Sequence, residues 1–146
     1  MRILIVLSKL GVGQGGSIGS RFEELGYFVE SLASERVKIC LDSQHLFAAG
    51  YPVHEPAGLE ETLTNFDKFI GLENLVAFHL NDSKVPFLSG RDRHENIGEG
   101  FIGIQGFRNL AHEARLRTKP WILEVPGFKG TGNDKKNVDL LKMCFE

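Results

Sequence analysis

Cysteine is scarce in this chain. There are two in 146 residues, Cys40 and Cys144, with no close spacing between them. That excludes a disulfide framework and a zinc knuckle. Cys40 lies inside an apolar run and reads as a reduced, buried thiol. Long apolar runs are also missing, since none approaches the ~18 residues that a membrane-spanning helix needs. The N-terminal apolar run, residues 3–7, is short and lacks a small-residue cleavage site, so it reads as a strand and not a signal peptide. A cytoplasmic location is the expectation. Finally, neither sign of charge dominates. A formal net charge of −2 argues against a strongly basic tail or patch for nucleic acid. It leaves DNA binding open, because bound divalent cations would add charge outside that count.

What is present is an ordinary globular composition, with 42% apolar and 25% charged residues. The length suits one domain, residues 1–146, with a real core. Apolar runs alternate with helical patterns. Residues 2–7, 37–41, 75–80 and 120–125 read as strands. Residues 17–32, 59–70, 104–116 and 138–144 carry apolar side chains at helical spacing, for example Phe22, Leu25, Val29 and Leu32. Residues 81–103 read as a long polar loop. The pattern is α/β: four consecutive β-α units whose continuously apolar strands suit a parallel sheet covered by helices. Four such units are half of an eight-unit (β/α) barrel, which takes about 250 residues. An open doubly wound sheet is the alternative.

The segment Gly11-Val-Gly-Gln-Gly-Gly16 fits the dinucleotide fingerprint G-x-G-x-x-G after a strand. The acid expected about 20 residues later falls near Ser31, where Glu30 lies inside a helix pattern and not at a strand end, so the match is weak.

Metal-capable side chains gather where strands end. Asp42 follows the second strand and His45 lies three residues on; Asp42 reads as a helix cap or as a ligand. His79 ends the third strand, as a hydrogen-bonded core histidine or a ligand, and Asn81-Asp82 reads as turn chemistry. Asp92 and His94, at i and i+2 in an extended segment, project to one side. They read as ligands or as part of a solvated charge run. Arg93 and Lys84 beside them suit a phosphate group. Glu124 interrupts the apolar stretch Trp121-Ile-Leu-Glu-Val125. A carboxylate there is costly unless paired or metal-bound, and it is a candidate ligand or general base. The ends of parallel strands are where α/β folds assemble their sites. His54 and His112 read as surface residues.

Four segments together resemble the endonuclease IV family, zinc-dependent enzymes that cleave DNA 5′ to abasic sites on a (β/α)8 barrel. They are Cys40-Leu-Asp-Ser-Gln-His-Leu-Phe-Ala-Ala-Gly-Tyr51, His79-Leu-Asn-Asp-Ser-Lys84, Asp92-Arg-His-Glu-Asn-Ile-Gly-Glu-Gly100 and Leu123-Glu-Val-Pro126. The chain is similar to the C-terminal half of that barrel, the xylose isomerase-like or AP endonuclease family 2 fold. The resemblance implies that Asp42, His79 and Glu124 bind one zinc ion, that His45, Asp92 and His94 bind another, and that Glu124 also orients the attacking hydroxide. Manganese is an alternative ion. The partner it implies is DNA with abasic sites.

Two departures from the family accompany the likeness. A bridging glutamate that the family carries before its Gly-Gln-Gly turn is replaced around Ser8 and Lys9, within Leu7-Ser-Lys-Leu-Gly-Val-Gly-Gln-Gly15. Two further family histidines belong to an N-terminal half that has no counterpart here. The expectation is therefore a truncated or divided barrel with two of three ion sites and weak or absent cleavage, prone to self-association or to pairing with a complementing half. A non-catalytic metal-binding remnant and a sugar isomerase-like barrel are the other readings.

Overall fold

The computed structural model describes residues 21–146. The first expected strand, the Gly11–Gly16 segment and the Ser8/Lys9 position lie outside them. Among the described residues the first helix is α1, Phe22–Leu32, preceded by Arg21 in an extended conformation. It buries Phe22, Leu25 and Gly26, and Gly26 is there because of a close approach: a Cβ would stand 2.1 Å from the Phe69 carbonyl oxygen.

Three parallel strands follow in the order β1 (Ile39–Asp42), β2 (Leu75–His79), β5 (Trp121–Ile122). All four residues of β1 are buried, as a strand covered on both faces requires. The register sets Asp42 against His79 and His79 against Ile122, so the strand ends are level and Glu124 lies two residues past the same rim. Helix α3, Pro56–Phe69, starts with proline in its first turn and buries Leu59, Leu63 and Phe66. The core runs between α1, α3 and the sheet through Phe22, Leu41, Phe66 and Phe78, and continues to Phe107 and Leu110.

The strand expected over 120–125 is confined to Trp121–Ile122, and three further elements depart from the sequence pattern. Residues 43–49 form a helix, α2 (Ser43–Ala49), that lies outside the four helical patterns of the sequence, although the capping reading of Asp42 fits it. Six of its seven residues are buried, so it has no polar face to give it a helical period. The polar loop contains a short antiparallel ribbon of β3 (Asp82–Ser83) and β4 (His94–Glu95), which pairs Asp82 with Glu95 and Ser83 with His94. The helix expected over 104–116 is split into α4 (Gly103–His112) and α5 (Ala114–Arg117). Glu113 leaves helical geometry at ψ 113° and caps α5 by accepting from the Arg115 backbone N–H. Helix α6, Lys135–Met143, is capped by Asp134.

Candidate metal centre

Asp42 ends β1 and caps α2, and its two oxygens divide the work. Oδ1 accepts the backbone N–H groups of Gln44 at 2.8 Å and His45 at 3.1 Å. Oδ2 accepts from Asn81 Nδ2 at 2.7 Å and faces His79 Nδ1 at 3.7 Å and His94 Nε2 at 3.9 Å. The capping and ligand readings are thus compatible. Burial drives the Asp42 carboxyl above the usual carboxylate range, against the pull of His45, His94 and the donors that hold it.

Two groups of ligating atoms meet at this carboxylate. In one, Asp42, His79 and Glu124 have their donor atoms within 4.8 Å of one another; in the other, Asp42, His45 and His94 do. Asp92 stands against the second group, its Oδ1 3.2 Å from His45 Nε2 and 3.4 Å from His94 Nε2. All six side chains expected at the strand ends and on the ribbon therefore converge, and Asp42 belongs to both groups.

Glu124 ties the groups together. Its carboxylate is about half exposed and lies 2.8 Å from His79 Nδ1. Its backbone N–H donates to Asn81 Oδ1 at 2.8 Å, and its carbonyl accepts from His94 Nδ1 at 3.1 Å. Since a carbonyl can only accept, that last bond places the proton on His94 Nδ1 and leaves Nε2 available as a ligand, as when a second partner fixes a metal-binding imidazole.

Three further residues hold this geometry; the sequence did not single out Ser43, and it offered Asn81 and Asp82 only as turn chemistry. Asn81 is wholly buried and bridges Asp42 and Glu124. Ser43 Oγ donates to the Asn81 carbonyl at 2.8 Å and accepts from its N–H at 2.9 Å. Asp82, also wholly buried, accepts backbone N–H groups from Ser83, Gly98, Gly100, Ile102 and Gly103, and so shapes the return from the ribbon. Burial raises its carboxyl, and the donors from Ser83, Gly100, Gly103 and Ile102 oppose the rise. Gly100 is needed at that turn, since a Cβ there would meet the Ser83 carbonyl at 2.4 Å. The available signal was an Asn-Asp-Ser polar run directly behind a buried strand.

Lys84 and Arg93 are exposed on the continuation of the ribbon, where the Lys84 N–H donates to the Arg93 carbonyl at 2.9 Å. His112 is exposed, whereas His54 is only half so: its ring packs edge-on against Phe47 with centroids 4.9 Å apart. Cys40 and Cys144 are free and buried.

The donor set fits a divalent cation. Neutral imidazoles and carboxylates are its common ligands. Nδ1 of His79 and Nε2 of His94 are buried nitrogens that make no hydrogen bond among the described residues, although carboxylate oxygens crowd them. A cation between these groups would satisfy all of them at once.

Residues 12–144 match a family described as the xylose isomerase-like TIM barrel. A relative in Halothermothrix orenii bearing the name "Probable endonuclease 4" is 47% identical over 131 residues, which is 89% of this chain and 47% of the relative. One of the same name in Chloroflexus aurantiacus is 39% identical over 143 residues, 97% of this chain and 50% of the relative. The crystal structure of endonuclease IV from Thermus thermophilus superposes with a TM-score of 0.75 at 34% identity, covering 91% of this chain and 46% of that one. The chain spans about half the length of the curated relatives it matches.

Proposed function

Because the chain belongs to the endonuclease IV family of xylose isomerase-like TIM barrels, we propose that its rim binds two zinc ions and serves cleavage of the DNA backbone 5′ to abasic sites. The observation that carries this reading is the pair of ligand groups sharing Asp42. In this reading Asp42, His79 and Glu124 hold one ion, and His45, Asp92 and His94, with Asp42 beside them, hold the other. Divalent cations at such a centre lower the pKa of bound water and offset the charge of a phosphodiester in flight.

The protein's own groups supply the positioning. Glu124, half exposed at the rim, orients the attacking water with its carboxylate. Lys84 and Arg93, exposed on the ribbon that carries His94, bind phosphate of the DNA backbone. The described residues supply ligands for two ions where the family resemblance implies three, and cleavage by these residues is therefore slow.

The test is incision of a duplex bearing one abasic site by the 146-residue chain, with and without zinc. Slow incision 5′ to the lesion is expected, abolished by chelation and by Glu124→Gln. Zinc-loaded protein that leaves the duplex intact, or incision that survives Glu124→Gln, would contradict the reading.

A further inference from the structure

Asn81 belongs to neither ligand group, yet both depend on it for their geometry. An asparagine used for turn chemistry bonds the backbone near itself. The carboxamide of Asn81 instead reaches residues 39 and 43 positions away, and both are ligands: Nδ2 donates to Asp42 Oδ2 and Oδ1 accepts from the Glu124 N–H. Its own backbone cannot shift easily, because Ser43 Oγ grips both its N–H and its carbonyl.

We propose that Asn81 is a positioning residue that couples the two candidate metal groups, aiming Asp42 Oδ2 with one end of its carboxamide and fixing the Glu124 peptide with the other. The proposal rests on the metal-binding reading above. Asp42 Oδ1 is committed to two backbone donors of α2, so only Oδ2 is available to both groups. The Asn81 donor occupies one side of Oδ2 and leaves the other turned toward His79 and His94. At the other end, the same Glu124 peptide that Asn81 holds accepts the His94 Nδ1 proton. Loss of the carboxamide therefore releases Asp42 from both groups, Glu124 from the first and His94 from the second.

Cobalt(II) titration of the full chain, followed by visible absorption, tests this. Wild type should take up two cobalt ions per chain. Asn81→Leu, which keeps the volume, and Asn81→Ala, which adds no new contact, should each bind about 10- to 100-fold more weakly at both sites, with altered absorption bands. The alanine variant carries the test if the leucine variant does not fold. Asn74→Ala removes a side chain that bonds Lys38 and Ile70 at the far end of β2 and should bind cobalt as wild type does. Folded Asn81 variants with wild-type affinity and spectrum would overturn the coupling role, as would an equal loss in Asn74→Ala. A wild-type chain that binds no cobalt would overturn the metal-binding reading itself.

Discussion

The backbone carbonyl of Glu124 accepts a hydrogen bond from Nδ1 of His94 at 3.1 Å. The two residues come from different elements, Glu124 from just past β5 and His94 from the ribbon strand β4. The bond selects the His94 tautomer whose Nε2 lies among the ligating atoms. Since the Glu124 carboxylate meets His79 in the other group, one peptide keeps the two groups in fixed relation.

Asp82 offers the clearest stability prediction. Two oxygens serve five backbone donors, and Asp82→Asn would turn an N–H2 toward some of them. A loss of about 1–3 kcal/mol is expected by urea unfolding. Amide exchange should accelerate at Gly98, Ile102 and Gly103. Unchanged exchange at those amides would show that Asp82 does not hold the turn.

Cys40 should make stability fall in alkali. Burial first, then the nearby Asp42 charge, push its thiol from 9.0 to about 11. A raised folded value means that the unfolded chain ionises first. The contribution is therefore intact below pH about 9 and is lost as pH rises toward 11, by roughly 2–3 kcal/mol. The difference in urea midpoint between wild type and Cys40→Ala, measured at pH 8.5 and 10.5 with metal chelated, reads this directly. A difference that does not change with pH would refute it.

The edge of the sheet should promote association. Among the described residues β5 pairs only with β2, and Ile122 on it is 41% exposed. Beside it Trp121, Leu123, Val138, Leu141 and Phe145 line an open groove of about 470 Å³. An unpaired edge next to apolar surface favours pairing. Light scattering of wild type is expected to give a mass above the 16.3 kDa of one chain at micromolar concentration, and Ile122→Lys to reduce it. A well-folded wild-type monomer would contradict the expectation.

Much of the candidate site was legible in the sequence because its candidate ligands sit at strand ends. Asp42, His79 and Glu124 each follow an apolar run, and parallel register makes such ends level. The i, i+2 spacing likewise brought Asp92 and His94 to one side. The sharing of Asp42 was not legible, since both readings of it as cap and as ligand hold through different oxygens of one side chain. Helix α2 escaped because burial on every side erases amphipathic spacing. Asn81 escaped because a role set by partners 39 and 43 residues away leaves no local pattern.

Zinc content per chain tests the central claim most directly, by elemental analysis of wild type, Asp42→Asn and His45→Ala after equilibration with zinc and removal of excess. Two zinc ions are expected in wild type, one in His45→Ala, and fewer than one in Asp42→Asn, because Asp42 belongs to both groups. Wild type without zinc, or Asp42→Asn that retains two ions, would contradict a paired centre built on Asp42.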